Sequence, residues 1–259
     1  MTWQGILELD EIKSLYFKPP RQAVAFCMEA MQSAASKKEG RMAAAWGRHA
    51  WNNSIRDKSA AQRIDCIYQT LRTLNDNHLW VHCSDFALAL CAAGLKQHNP
   101  ILVYEGTLSL FEHAQHTGMI LGYRHCLRHK SYLEDHKMPL NRDIPEHIKQ
   151  CETLDPANVE DELENPFCLA IEDNNFELAL LLIKKGHPLN STTFCDHSAL
   201  HKACLKSNLE AFRFLICEGL NPYKKDLNAK LALELAPDGP DWKELWQNMH
   251  SVPSLTHST

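Results

Sequence analysis

The sequence has no basic excess, no hydrophobic run of membrane length and no CxxC pair. Each absence removes a class of function. With 27 Lys and Arg against 32 Asp and Glu, the formal net charge is −5. The chain therefore lacks the cationic surplus of a dedicated nucleic-acid or anionic-membrane binder. Its longest apolar run, Phe86 to Leu95, has ten residues, well short of the ~20 that span a bilayer. Acids stand at Glu8 and Asp10, where a secretory signal has a basic start and an apolar core. Gly-rich phosphate loops, a GxSxG elbow and kinase motifs are missing too. The expectation is a soluble, cytoplasmic, monomeric chain with no nucleic-acid partner, no membrane partner, no metal and no cofactor.

Cysteine and histidine are in surplus, at ten and fifteen residues. The cysteines are scattered, and Cys66, Cys91 and Cys204 sit in apolar helical contexts. A disulfide scaffold would be short, loop-rich and regularly spaced, so reduced thiols acting as small hydrophobes are expected. The histidines are not spread evenly, for nine of the fifteen lie between His78 and His147.

Near the C-terminus the chain repeats itself. Asn165 to Asn190 lies over Ser198 to Tyr223 at an offset of 33 residues without a gap, matching Ala170 to Ala203, Glu177 to Glu210 and Gly186 to Gly219. A further step of 33 reaches Leu231-Ala-Leu-Glu-Leu-Ala236. Each copy reads as two helices, about Pro166 to Asp173 followed by Phe176 to Lys185, and in the second copy a helix from about Leu209 to Glu218. The second helix ends at a Gly suited to the left-handed C-cap. One such pair cannot bury its apolar stripe alone, so copies stack.

Ser198-Ala-Leu-His201 and the two glycines resemble the ankyrin repeat, in which Thr-Pro-Leu-His opens the first helix. The resemblance divides the chain into an N-terminal domain over 1–150, an acidic linker over 151–164 and repeats over 165–197 and 198–230. A capping repeat over 231–249, with a helix from Asp241 to Met249, and a tail over 250–259 complete it. The linker opens a stretch from Gln150 to Ile183 with nine acids and no Lys or Arg. A degenerate earlier unit ending near Met138-Pro-Leu-Asn141, an echo of His187-Pro-Leu-Asn190, is an alternative. Ankyrin stacks bind proteins through hairpin tips and first helices. The resemblance thus assigns partner binding to Phe194, Asp196 and His197 at the tip, and to Glu172, Asp173, Leu205 and Lys206 on the concave side. The competing possibility is that the short array only packs against the N-terminal half.

For the first 150 residues the expectation is helices with a small sheet. Pro20 to Ser36, Arg41 to Trp51 and Ser59 to Leu74 show helical periodicity. The apolar run after Ser84 and Asp85 reads as a buried helix capped by those two residues. Pro100-Ile-Leu-Val-Tyr104 and His116 to Gly122 read as strands.

A cysteine at the start of a buried helix gains thiolate stability from the helix dipole, and a histidine on a later strand can act as its base. Cys83, His116 and Asp135 (or Asp143) occur in that order, with His113 as an alternative base. This stretch is weakly similar to papain-like and transglutaminase-like cysteine hydrolases, and that resemblance implies Asn77 in place of the family's oxyanion Gln. The resemblance implies a protease, deamidase or transglutaminase-like activity, with the repeats as a substrate-recognition arm. His113-x-x-His116 and His125-Cys-x-x-His129 have zinc-compatible spacing without a CxxC or HExxH frame, and Arg124 to Lys130 is basic without interleaved aromatics. Degenerate repeats beside a Cys/His-rich domain resemble bacterial effector proteins, which implies a host protein as partner and delivery into a host cytoplasm without a classical signal.

Overall fold

A computed structural model describes residues 5–57, 59–140, 142, 165–193 and 196–250. Seven helices form the N-terminal part: α1 (Leu9–Phe17), α2 (Pro20–Ser36), α3 (Gly40–Arg56), α4 (Ala60–Asp76), α5 (Ser84–Lys96), α6 (Pro100–Thr117) and α7 (Ile120–Asp135). From α2 onward each packs on the next. The repeats supply α8 (Pro166–Glu172), α9 (Phe176–Lys184), α10 (Ala199–Leu205) and α11 (Leu209–Cys217). A 3-10 turn (Ala232–Leu235) and α12 (Pro240–His250) follow.

The expected small sheet is absent: among the described residues there is no strand, only an isolated bridge between Lys225 and Leu231. Pro100 to Tyr104 is helical, and His116 to Gly122 spans the end of α6 and the start of α7. Pro100 to Tyr104 opens α6, where the Asn99 side chain accepts from the Ile101 N–H and Pro100 takes the first turn. Val103, Thr107, Leu110, Phe111 and Ala114 then form one buried face at helical spacing, and that burial outweighs the strand preference of Ile-Leu-Val-Tyr. His116 lies in the last turn of α6, and Gly118, at φ 71°, ends the helix before α7 begins.

One ending recurs in both halves. Lys38, His78, His98 and Lys137 close N-terminal helices at φ between 51° and 62°. In the repeats Asn174, Gly186, Ser207 and Gly219 do the same at φ between 56° and 85°. The following N–H reaches five residues back, as in Leu79 N to Leu74 O (2.8 Å) and His187 N to Leu182 O (2.9 Å). Orphan carbonyls at the helix ends are thereby satisfied.

The apolar core runs continuously through both halves. The first helix, α1, packs not only on α2 but on α11 and α12, at the far end of the sequence. Tyr16 meets Tyr223 edge-on at 6.4 Å, and Lys13 faces Glu244 at 3.6 Å.

A buried polar seam joins the repeats to the N-terminal helices. Arg48 of α3 donates from Nε to the Glu218 carbonyl (2.7 Å) and from Nη1 to Asp85 Oδ2 (3.4 Å). Asn52 Nδ2 donates to the carbonyls of Gly219 and Leu220. Ser84 Oγ donates to the Gly186 carbonyl (2.8 Å), and Asp85 Oδ1 accepts from Asn190 N (3.0 Å). Arg41 grips the wholly buried Glu218 carboxylate with two nitrogens, at 2.6 and 3.1 Å, while Ile6 N donates to the same group. The seam engages the C-terminal ends of both second helices, where the left-handed glycines stand. It also corrects one reading of Asp85: the carboxylate does not cap α5 but reaches across to the repeats.

Candidate functional site

Cys83 does occupy the N-cap of α5, but the environment is the reverse of a reactive thiol's. It is fully buried, its Sγ donates to Asn75 Oδ1 (3.3 Å) and Leu79 O (3.7 Å), and burial pushes its pKa far up. Desolvation here outweighs any help from the helix dipole. His116 is exposed, donates Nδ1–H to the Glu112 carbonyl one turn back (2.8 Å), and lies against Trp80 at 4.0 Å between ring centres. Asp135 is exposed at the end of α7. No described hydrogen bond or ring contact joins Cys83, His116 and Asp135, and with the strand gone the arrangement that prompted their selection is gone.

The alternatives fare similarly. His113 is buried and donates Nδ1–H to Trp80 O (3.0 Å), its pKa lowered chiefly by burial. The Asn77 side chain donates back to Thr73 O within its own helix end. Asp143 lies outside the described residues. Among the described residues no three His, Cys, Asp or Glu side chains are placed to hold a metal ion. The histidine surplus has structural uses instead. His78 and His98 take left-handed helix ends, His116 and His136 bond back one turn, and His129 is buried on Thr107 Oγ1 (3.0 Å).

The repeat surface is built differently. Ser198 begins α10 as a capping box: its N–H and hydroxyl meet His201 Nδ1 at 3.2 and 2.8 Å, while His201 Nε2 lies 3.2 Å from Lys230 O. With Nε2 donating to that carbonyl and Nδ1 accepting, the imidazole is neutral, and burial lowers its pKa. His201 thus fixes the start of the first helix and the hairpin after it. His197 stacks on it at 5.6 Å and faces Asp226 at 3.5 Å. Asp196, at φ 58°, accepts from Thr192 Oγ1 and lies 3.7 Å from Lys224. These residues form the tip. Phe194 lies outside the described residues.

At the other end of the first helices, Glu172 of α8 is met by Lys202 of α10 (2.6 Å) and by Lys206 just beyond it (3.3 Å). The two ammonium groups, Lys202 foremost, hold its carboxyl below the usual range. Asn208 Nδ2 donates to Asn174 Oδ1 (2.8 Å), tying the two inter-helix turns together. A hollow of about 610 Å³ opens between these turns, floored by Phe176 and Leu209 and edged by Glu172 and Lys206. Asp173 is exposed beside it, and Leu205 stands 48% exposed. The structure therefore brings Glu172, Asp173, Leu205 and Lys206 to one end of the first helices, and Asp196 and His197 to the other.

The geometry consists of helix pairs at a 33-residue step, the His201 imidazole locking the second repeat's hairpin, and a left-handed Gly closing each second helix. Residues 144–226 are similar to ankyrin repeats. Over that range the chain matches the family model for ankyrin repeats, in three copies. The match begins within the range assigned to the N-terminal domain, runs through the stretch read as an acidic linker, and stops before the 3-10 turn at Ala232. Neither the curated proteins nor the solved structures compared give a match. Ankyrin repeats are protein-interaction modules. No helix among the described residues is long and apolar enough to cross a membrane.

Sequence reasoning missed the seam. Its only trace was a lone charge in an apolar setting: Arg48 in an Ala-rich helix, Asp85 at the head of the apolar run, Glu218 beside a capping Gly. Buried charges are rarely unpaired, so each of the three announced a distant partner without naming it.

Proposed function

We propose that this protein is an ankyrin-based recognition molecule whose partner lies along the open face of the first helices. Glu172, Asp173, Leu205 and Lys206 hold one end of the partner, and the tip at Asp196 and His197 holds the other. The supporting observation is the seam. The C-terminal ends of α9 and α11 are taken up by α3 and α5, whereas the turns after α8 and α10 stay exposed, with Asp173, Leu205 and Lys206 on them. A half-exposed Leu205 beside a Glu–Lys network has the composition of an anchor with a polar rim. The resemblance to bacterial effectors supports a host protein as that partner, and this extension rests on the resemblance alone.

The test is a photo-crosslinking amino acid placed in the full chain at Leu205, at Asp173, or at Glu29 on the exposed side of α2 as control. The expected result is one crosslinked species shared by the first two positions, absent at the third and lost with Lys206→Glu. Equal crosslinking at Glu29, or survival of the species in Lys206→Glu, would remove the face from consideration.

A further inference from the structure

A second unpartnered surface lies on the N-terminal helices, away from the repeats. Between α4 and α6 run two hollows, of about 450 and 330 Å³. Tyr68 lines both, so they form one groove. On α4 its wall passes from Ala61 through Ile64, Tyr68 and Leu71 to Asn75, a single face at helical spacing. At ~1.5 Å per residue that wall is about 20 Å long, roughly four helical turns.

One end of the groove is apolar. Ile64, Tyr68, Ile101 and Leu102 gather there, and Ile101 is 57% exposed at the start of α6. The charges along the groove are unbalanced. Asp65 and Glu105 are carboxylates with no cationic partner among the described residues, while the one cation, Arg72, faces Asp76 of its own helix at 3.7 Å. A groove about four turns long, apolar at one end and edged by unneutralised acids, is complementary to an amphipathic helix carrying Leu-like side chains on one face and Lys or Arg beside them.

We infer that this groove is a docking site for a basic amphipathic helix of a protein partner. It shares no residue with the proposed ankyrin face and is a second, separate surface. An acidic or uncharged helix of the same shape would meet Asp65 and Glu105 without compensation and would be rejected.

Fluorescence anisotropy on the full chain tests this, with a fluorescein-labelled amphipathic Leu/Lys peptide about four turns long as probe. A Leu/Glu peptide of the same pattern is the comparison. The Leu/Lys peptide should bind and the Leu/Glu peptide should not. Ile101→Asp, at an exposed helix start that tolerates an acid, should weaken binding roughly tenfold or more. Glu105→Lys should weaken it roughly threefold to tenfold. Glu177→Lys, the same charge change on exposed α9, controls for the chain's net negative charge and should leave binding within about twofold. Absence of binding, equal binding of the Leu/Glu peptide, or equal loss in Glu177→Lys and Glu105→Lys would overturn the proposal. A chain dimer in sedimentation that Ile101→Asp dissociates would assign the groove to a second copy and overturn it as well.

Discussion

Replacing single glycines measures what the seam contributes. Gly118, Gly186 and Gly219 all sit at positive φ, at 71°, 79° and 85°, so an Ala at any of them carries the left-handed strain of about 1–2 kcal/mol. Their surroundings differ. A Cβ on Gly118 meets nothing within 4 Å, so Gly118→Ala should cost only that strain. A Cβ on Gly186 runs into the Val81 carbonyl and lies 2.7 Å from His113 Cε1. On Gly219 it lies 2.8 Å from Arg48 Cβ and 2.9 Å from Ala45 O. Backbone cannot yield there without moving the seam. Overpacking adds about 1–3 kcal/mol, and losing the Ser84 hydrogen bond to the Gly186 carbonyl adds about 1 kcal/mol. Gly186→Ala should therefore cost about 3–6 kcal/mol, some 2 kcal/mol or more beyond Gly118→Ala. Urea unfolding followed by far-UV circular dichroism, with midpoint and slope fitted for each variant, reads the difference. Equal costs at Gly118 and Gly186 would refute the docking of the repeat glycines on the N-terminal helices.

Three further outcomes follow from the same geometry. Asp85→Ala leaves Arg48 buried without its counter-charge and Asn190 N–H without its acceptor, and should destabilise by about 3–5 kcal/mol. Arg48→Met combined with Asp85→Leu should recover much of that loss in urea unfolding, and a double variant no better than Asp85→Ala would contradict the pairing. Burial lowers His49 to about 3, and His82, His129 and His187 to about 4. Folded values below the unfolded one, about 6.5, mean that the unfolded chain binds more protons between the two. Stability is then full above pH ~6.5 and falls toward pH ~4, by up to about 1.4 kcal/mol per pH unit for each group. Unfolding free energies that stay flat from pH ~7.5 to ~5 would count against these assignments. Finally, Cys83 should alkylate in the native protein no faster than the protein unfolds, because its sulfur is buried behind Asn75; rapid labelling near neutral pH would revive the cysteine-hydrolase reading.

The repeats were legible because their constraints are local. The 33-residue step, the small Ala170 and Ala203 where helices approach, and Gly186 and Gly219 at the caps are all dictated within one helix pair. The helix bounds followed, with Pro20 to Ser36 read from Pro20 and the apolar period alone. The sheet was misread because a five-residue window of Ile-Leu-Val-Tyr after Pro favours a strand, whereas the helical period of α6 appears only when Val103, Thr107, Leu110 and Ala114 are taken together. Asn99-Pro100 starts a helix just as Asn165-Pro166 does, and that comparison carried the correction within the sequence itself. The surroundings of the thiol were illegible for another reason. A helix N-terminus is visible in sequence, but the burial that reverses its effect on Cys83 comes from Asn75 and Leu79 on a different element. The seam was invisible because its partners stand 37 to 212 residues apart.

Hydrogen exchange across α3 and α11 tests most directly whether the ankyrin repeats and the N-terminal helices form one recognition body. In the unaltered chain the amides of both helices should be protected to a similar degree, since Arg48 and Asn52 tie α3 to the Glu218–Leu220 turn. With Arg48→Ala, protection of α3 and of α11 should fall together. Loss confined to α3, with α11 exchanging as before, would show the repeats to be an independent arm and would contradict the account.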